Sequence, residues 1–286
     1  MFHSKIFLTF LLMLCSSLSF ALTPNKKLIF VGTELSQVWI GSTNKSKPRV
    51  LYHDFSIDPN YYIGIGYDSQ RKKIYWPDNY NQVLLEGSLD GCIEKHALYS
   101  DLAFSHVPFI DTSNSRIFLS AVNDGIYVMP NNGMGPQNLI FNGQKPVTVV
   151  YDESSDNIYF GGPDQGKVFR GKADGTMLTE LYDAPEIRDV EIYPELGLIF
   201  WVDLDQIWRA PLSGAGPKVV HATHLGGKLR SIEIDKTTQK LYLAEFNIPG
   251  TPGPDVIWSV NALSSGPAEI IYSGDFGSIR GLELVD

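Results

Sequence analysis

The chain has 286 residues, of which 43% are hydrophobic, 12% are aromatic and 19% are charged. These proportions exclude a disordered chain, a collagen-like chain and a coiled coil, and they are typical of a globular protein with many short strands. The formal net charge is −9. Such an acidic balance argues against nucleic acid and anionic membranes as partners, because both require a basic surface.

The first 21 residues resemble a secretory signal peptide. Lys5 provides positive charge, residues 6–14 form an uncharged apolar run, and Ser19-Phe20-Ala21 places small residues where a signal peptidase requires them. The alternative is an uncleaved anchor, but the apolar run is short for a membrane span. We therefore expect a secreted protein, extracellular or periplasmic, with no membrane attachment after cleavage. Cys92 is then the one remaining cysteine, which allows no intrachain disulfide.

Six short apolar strands recur along the chain. They begin at residues 28, 74, 117, 158, 199 and 241. Their spacing of 41 to 46 residues is typical of β-propeller blades with four short strands each. An Asp usually lies six residues before these strands, and we expect it to accept hydrogen bonds from the turn backbone rather than to bind a metal.

The end of the chain is predicted to complete the first blade. Residues 280–284 (RGLEL) match residues 230–234 (RSIEI), whereas the repeat that begins at residue 28 has no first strand of its own. Pairing of the last strand with that repeat closes the ring and protects its edges. The sequence therefore predicts an all-β protein, a single six-bladed β-propeller over residues 26–286. The longest insertion, Asn247 to Pro254, contains three prolines and two glycines and is predicted to be a loop.

Two repeats resemble a known motif. Ile74-Tyr75-Trp76-Pro77-Asp78 is similar to the YWTD motif of low-density-lipoprotein-receptor class B repeats, and Ile199-Phe200-Trp201-Val202-Asp203 is a looser copy. The resemblance implies a six-bladed propeller that works as a binding platform, in which the aromatic ring packs between blades and the Asp binds neighbouring backbone. Because the chain has no cysteine-rich epidermal-growth-factor-like module beside the propeller, a lipoprotein-receptor function is not implied.

The first strand of each blade lines the central channel of a propeller, and two positions of these strands are charged here. Alignment of the strands places the following residues at one level: Ile63, His106, Val147, Arg188, Arg230 and Arg280. Three residues later, the blades with arginine contain Glu191, Glu233 and Glu283. Asp189 lies beside Arg188 and is a candidate for the same cluster.

Two interpretations of these charges remain open. In the functional one, His106, Asp189 and the three arginines form a polar channel mouth that binds an anionic group such as a carboxylate or phosphate. In the structural one, which we prefer, the arginines and the glutamates pair between neighbouring blades. Charges so close to a core are rarely left unpaired.

The sequence contains no recognisable catalytic constellation, which favours a non-catalytic binding protein without a cofactor. Such a protein would recognise a protein or glycan through its loops or its channel mouth. Tyr61, Tyr62 and Tyr80 are candidates to stack on sugars or on a partner, but we prefer the interpretation that they are ordinary residues of the blade edges. His221 and His224 have no third ligand nearby, so we expect an exposed loop there rather than a metal site.

The alternative is a metal-dependent hydrolase of the lactonase type. Glu191, Glu233 and Glu283 would hold one divalent cation such as calcium in the channel, and the ion would polarise a carbonyl and activate water. The neighbouring arginines would repel that cation. A third hypothesis is a sugar-processing lyase, for which His106 is the candidate base.

Overall fold

The computed structural model describes residues 25–54, 61–102, 104–223, 228–246 and 253–285. Three predictions fall outside these ranges: the signal peptide at 1–21, the position of His224, and the loop at 247–254 except for its last two residues. No helix in the described part of the chain is long and apolar enough to cross a membrane.

Six antiparallel sheets of four strands form the predicted blades. Blade 1 contains β1 (Lys27–Gly32), β2 (Gln37–Ser42), β3 (Arg49–His53) and β24 (Ile279–Val285). Blade 2 contains β4 (Gly66–Asp68), β5 (Lys73–Asp78), β6 (Val83–Ser88) and β7 (His96–Tyr99). Blade 3 contains β8 (Ser105–Asp111), β9 (Arg116–Ala121), β10 (Gly125–Pro130) and β11 (Asn138–Asn142).

The second half of the ring follows the same plan. Blade 4 contains β12 (Thr148–Asp152), β13 (Asn157–Gly162), β14 (Lys167–Lys172) and β15 (Thr179–Asp183). Blade 5 contains β16 (Ile187–Tyr193), β17 (Leu198–Asp203), β18 (Gln206–Pro211) and β19 (Val219–Thr223), with a 3-10 turn at Pro194–Leu196. Blade 6 contains β20 (Lys228–Asp235), β21 (Lys240–Phe246), β22 (Asp255–Asn261) and β23 (Glu269–Gly274).

The last strand closes the ring, as predicted. β24 pairs antiparallel with β1, with Lys27 opposite Val285 and Phe30 opposite Leu282. The inner strands β24, β4, β8, β12, β16 and β20 contact one another in order around the channel. We define the upper face as the side on which these inner strands begin. The lower face is the side on which they turn into the second strands.

The aspartates at the ends of the inner strands hold the lower-face turns. Asp68 accepts hydrogen bonds from the backbone N–H groups of Gln70 and Arg71, both at 3.0 Å. Asp235 accepts one from the N–H of Thr237 at 3.0 Å. The predicted structural role of these aspartates is confirmed.

The YWTD-like motif is structural as well. Trp76 and Trp201 are fully buried. The ring of Trp76 lies 5.1 Å from the ring of Tyr52 in blade 1. Asp78 accepts a hydrogen bond from the N–H of Asn81 at 3.0 Å. As the resemblance implied, the ring packs between blades and the Asp binds neighbouring backbone.

Blades 2 and 3 approach each other closely beside the channel, and this approach requires glycine. A Cβ on Gly64 would lie 2.1 Å from the carbonyl oxygen of His106, and a Cβ on Gly66 would lie 2.3 Å from that of Pro108. These distances leave no room for a side chain. The close approach therefore positions the backbone of His106 at the channel.

Candidate functional site

The inner-strand positions that the alignment equated meet at the upper end of the channel. One cavity of about 50 Å³ is lined by Ile63, His106, Val107, Val147, Arg188, Arg230 and Arg280. We call the part formed by His106 and the three arginines the arginine mouth. It combines side chains from four of the six blades, so it exists only in the closed ring.

Each arginine of the mouth lies in a β-bulge. The strand register shifts between Ile187 and Asp189, which leaves Arg188 unpaired in the ladder. The same shift occurs around Arg230 in β20 and around Arg280 in β24. A bulge redirects the side chain of the extra residue. It explains how residues three positions apart on one strand both face the channel, although strict alternation would place them on opposite sides.

Phe246 positions two of the guanidinium groups. The guanidinium carbon of Arg230 lies 4.4 Å from the centroid of this ring, and that of Arg280 lies 5.4 Å from it. Phe246 is buried at the end of β21. The Nε atoms of all three arginines are buried and have no hydrogen-bond partner. Because buried donors are nearly always paired, these atoms mark a place where a hydrogen-bond acceptor fits.

Acidic residues lie near the mouth but do not line it. Arg188 forms an ion pair at 2.9 Å with Glu186, which is exposed. The charge of Glu34 raises the pKa of Arg280, although burial dominates and the net pKa is lowered. Of the described residues, no acid belongs to the lining of the cavity. The interior of the mouth is therefore positively charged.

The positive charges of the mouth act on one another. Burial and the charges of Arg280 and Arg188 lower the pKa of Arg230 to about 10. Burial and the three arginines lower the pKa of His106 to about 4. At neutral pH the arginines remain charged and His106 is neutral. A histidine with such a low pKa is a weak general base at neutral pH, which argues against the lyase hypothesis.

The glutamates line a second cavity, lower in the channel, which we call the acidic cavity. Its volume is about 350 Å³. Its charged lining residues are Lys26, Asp189, Glu191, Glu233, Lys236 and Glu283. Burial raises the pKa of Glu191 to about 7. Burial and the neighbouring carboxylates, Glu283 first, raise the pKa of Glu233 well above its ordinary value. The cluster thus reduces its own negative charge by holding protons.

The predicted pairing of arginines with glutamates is wrong. The two sets line different cavities, and the ion-pair partner of Arg188 is Glu186 rather than Glu191. A strand rises about 3.3 Å per residue, so side chains three residues apart are separated by roughly 10 Å along the channel. The charges that act on Glu191 and Glu233 are those of Lys236 and of neighbouring carboxylates, and not those of the arginines.

Asp189 belongs to the acidic cavity and not to the arginine mouth. It is buried, and it accepts hydrogen bonds from Thr148 Oγ1 at 2.5 Å, Ser231 Oγ at 2.8 Å and the Ile232 N–H at 3.0 Å. Thr148 lies in blade 4, and the other two donors lie in blade 6. Asp189 therefore ties three consecutive blades together.

The charges of the acidic cavity bear on the calcium alternative. Over the described ranges, no group of three or more His, Cys, Asp or Glu side chains is placed to hold a metal ion. Lys26 and Lys236 line the same cavity, and the Nζ of Lys26 lies 3.2 Å from Asp235 Oδ1. Their positive charge opposes a cation there.

His221 does not lie in the predicted exposed loop. It is buried in β19, and its Nε2 lies 2.8 Å from the carbonyl oxygen of Asn261. Its ring also packs edge-on against Phe200, with the ring centroids 5.8 Å apart. These contacts give His221 a structural role.

The upper face also exposes four large apolar side chains, which we call the apolar set. They are Leu35, Tyr61, Tyr80 and Phe104, with 40%, 54%, 57% and 59% of their surface exposed. Sequence analysis proposed Tyr61 and Tyr80 as stacking residues but missed Leu35 and Phe104. Tyr62, the third proposed tyrosine, is fully buried.

Contacts between the loops bring the apolar set close to the arginine mouth. The Nδ2 of Asn79 donates hydrogen bonds to the carbonyl oxygens of Tyr61 and Ser105, at 3.3 and 2.8 Å. Tyr61 also influences the pKa of Arg280 electrostatically. The Glu34 N–H donates to Gly277 O at 2.8 Å, which ties the loop of Leu35 to the segment before Arg280.

No family model and no curated protein matches this chain. Solved structures of the same fold do match. A chain of the nidogen–laminin complex has a TM-score of 0.75 and 16% identity, over 91% of this chain and 98% of that chain. A gluconolactonase from Xanthomonas campestris has a TM-score of 0.62 and 13% identity, over 78% and 82%. A putative TolB from Agrobacterium tumefaciens has a TM-score of 0.63 and 14% identity, over 92% and 98%.

Identities this low show the fold and leave the activity open. The matched structures include a chain from a protein complex and an enzyme, so function has to be argued from the site of this chain. The six closed blades and the buried aromatic motif agree with the first of these likenesses. The chain is a six-bladed β-propeller that resembles the low-density-lipoprotein-receptor class B (YWTD) repeat proteins.

Proposed function

We propose that this protein is an exported, non-catalytic propeller that binds a protein partner through its upper face. In this proposal an acidic group of the partner, a side-chain carboxylate or a C-terminus, enters the arginine mouth. The apolar set contacts the surface around that group. The chain itself supplies no catalytic residue.

The observation that carries the proposal is the presence of three guanidinium groups in one small cavity that no described acid lines. Arg188 has a partner, Glu186, but that residue is exposed and lies outside the lining. A guanidinium keeps its proton at neutral pH, so the mouth stays charged until an external acceptor arrives. A carboxylate accepts two parallel N–H bonds from one guanidinium. A volume of about 50 Å³ suits a group of that size, because a water molecule occupies about 30 Å³. A whole sugar ring is too large for it.

The apolar set favours a protein partner over a free small anion. Protein interfaces combine aromatic anchors with a few desolvated charged pairs. Tyr61 and Tyr80 supply amphipathic rings, and Leu35 and Phe104 supply apolar area. The fold match to a chain of the nidogen–laminin complex is consistent with this role, since that chain was crystallised in a protein complex.

The proposal is tested by affinity capture from the exported fraction of the source organism, with four immobilised proteins. These are the native protein, the mouth variant Arg188→Gln/Arg280→Gln, the apolar variant Tyr80→Ser/Phe104→Ser, and the control Lys145→Gln/Lys167→Gln. We expect one partner to be retained by the native and control proteins and lost by the other two. Because Arg188, Tyr80 and Phe104 reach the surface, these variants should fold, and circular dichroism checks that they do.

Anion binding at the arginine mouth can also be measured directly, without the partner. Acetate at constant ionic strength should raise the melting temperature of the native protein and leave that of the mouth variant unchanged, because a ligand that binds only the folded state stabilises it. Equal shifts in both proteins would contradict anion binding at the mouth. One tightly bound metal ion per chain in elemental analysis, together with lactone hydrolysis, would contradict the non-catalytic function.

A further inference from the structure

The lower face contains a groove between blades 1 and 2 whose charge is opposite to that of the whole chain. Its volume is about 730 Å³. Its basic lining residues are Lys27, Lys47, Arg49, Arg71, Lys72 and Lys73. These are six of the 23 lysines and arginines in a chain that has 32 acidic residues. We call this feature the basic groove.

Two of the six basic residues have an acidic neighbour. Glu86, buried in β6, lies 3.0 Å from Lys73 and 3.9 Å from Arg71. The acidic residue of the groove lining is Asp90, and its carboxylate already accepts hydrogen bonds from Ser88 Oγ at 2.6 Å and the Cys92 N–H at 2.9 Å. Neutralisation inside the groove is therefore partial.

The other four basic residues form no ion pair with any residue of the described ranges. Lys27, Lys47, Arg49 and Lys72 are all exposed. The Nζ of Lys72 lies 5.8 Å from the ring centroid of Tyr67, a weak contact that leaves its N–H groups available. A net positive charge thus remains on one concave surface of an otherwise acidic protein.

The fold explains why these residues meet. Lys27, Arg49 and Lys73 are the first residues of β1, β3 and β5, and all three strands begin on the lower face. Lys72 occupies the turn before β5 with a φ of 55°. The groove is therefore built on strand ends, a tight turn and the loop between β2 and β3. It lies on the face opposite to the arginine mouth.

We propose that the basic groove binds an anionic polysaccharide, a sulfated or carboxylated chain. The other polar lining residues that reach the surface are Asn25, Ser42, Asn44 and Ser46. Amide and hydroxyl groups of this kind hydrogen-bond sugar hydroxyls, and ammonium groups attract anions spaced along a flexible chain. An acidic peptide would be expected to need apolar anchors as well. Of the apolar lining residues, only Ile93 is strongly exposed, at 49%.

The test uses heparin as the sulfated probe and hyaluronan as the carboxylated probe, with neutral dextran as the blank. Binding is measured by surface plasmon resonance at about 50 mM and about 150 mM NaCl. We compare the native protein with Lys47→Glu/Arg49→Glu and with Lys145→Glu/Lys167→Glu. The two variants change the net charge equally, and the second pair lies in a different part of the ring, outside the groove. All four side chains reach the surface, so both variants should fold.

We expect the native protein to bind heparin or hyaluronan with an affinity that falls at higher salt. The groove variant should lose at least about tenfold in affinity, while the control should change less than about twofold. The mouth variant Arg188→Gln/Arg280→Gln should bind like the native protein, which keeps this site separate from the proposed partner site. No binding of either anionic probe at low salt would overturn the proposal. So would equal losses in the groove and control variants, or tighter binding of poly-glutamate or of phosphatidylserine vesicles.

Discussion

The arginine mouth and the acidic cavity are built from the same three inner strands, yet like charges are accommodated differently in the two places. At the upper end, Arg188, Arg230 and Arg280 gather in a cavity with no acid in its described lining. Three residues further along each strand, Glu191, Glu233 and Glu283 gather in a second cavity. Both clusters bring like charges together inside a protein, where such repulsion is costly.

The difference lies in what each group can do with its proton. A carboxyl group becomes neutral by binding a proton, and the raised pKa values of Glu191 and Glu233 show that the acidic cavity uses this route. A guanidinium becomes neutral only by losing a proton, and the pKa of Arg230, about 10, keeps it charged at neutral pH. The acidic cavity can therefore relieve its own repulsion. Because Glu186 and Glu34 lie outside the lining of the arginine mouth, its interior can be neutralised by an external anion, which is the physical basis of the proposed function.

The comparison also predicts opposite responses to pH. The protonated carboxyl groups of the acidic cavity stabilise the fold at low pH, and this contribution is lost as the pH rises. The pH dependence of the contribution of His106, which the arginines keep neutral, has the opposite sign. Its contribution to stability is present above its ordinary pKa of 6.5 and is lost as the pH falls through about 4.

The largest effect on stability is expected at Asp189, which lines the acidic cavity. Asp189→Ala removes a buried acceptor shared by Thr148, Ser231 and the Ile232 N–H, and leaves these donors without their partner. We expect the free energy of unfolding to fall by about 3 kcal/mol. Asp189→Asn retains part of the network and should cost less. Urea unfolding of both variants at neutral pH measures this, and a loss below about 1 kcal/mol for the alanine variant would show that the blades are joined mainly by other contacts.

A smaller effect on the free energy of unfolding is expected at Glu191. Its pKa of about 7 in the folded protein exceeds the ordinary value of 4.5, so folding favours its protonated form. This stabilisation is complete below about pH 4.5 and is lost as the pH rises through about 7. Glu191→Gln should therefore match the native protein at pH 4 and exceed its stability by about 2 kcal/mol at pH 8.

The control for this prediction is Glu195→Gln. Glu195 is exposed in the turn that follows the same strand. Its substitution should leave the pH dependence of the melting temperature unchanged. If Glu191→Gln shows the same difference from the native protein at both pH values, the acidic cavity does not hold the extra protons.

The smallest expected effect is a shift in the pKa of His106. After burial, the charge of Arg280 is the largest cause of its low pKa. Arg280→Gln should raise the pKa of His106 from its value of about 4. A titration of the imidazole resonances by nuclear magnetic resonance measures this shift. Arg49→Gln on the opposite face should have no effect, and equal shifts in both variants would mean that the mouth does not act locally.

The blade architecture could be predicted because its signals are local in the sequence. Each repeat carries an apolar strand and an Asp that binds its own turn, as Asp68 and Asp235 do. The match of residues 280–284 to residues 230–234 predicted the closing strand, because a missing first strand leaves one place for it. The equivalence of Arg188, Arg230 and Arg280 was also predictable, since they share one position of a repeat.

The partners of these charges could not be predicted in the same way. A side chain's direction in a strand follows a period of two, and a single bulge at Arg188 changes that direction without any mark in the sequence. Phe246 lies against Arg230 within blade 6, but it reaches Arg280 only because blades 6 and 1 are adjacent. The net charge of −9 likewise gave no sign of the basic groove, because a net charge does not say where the charged residues lie in the fold.

By itself, the sequence determined the six blades, the closure of the ring and the equivalent positions of the three arginines on their inner strands. These features follow from short-range patterns of apolar residues and turns. The tertiary structure alone decided that the arginines and the glutamates three residues later line separate cavities, that burial and neighbouring carboxylates raise the pKa of Glu233, and that basic residues from two blades line one groove. Charge interactions depend on distance and burial. Both quantities are fixed only when distant parts of the chain are brought together in the ring.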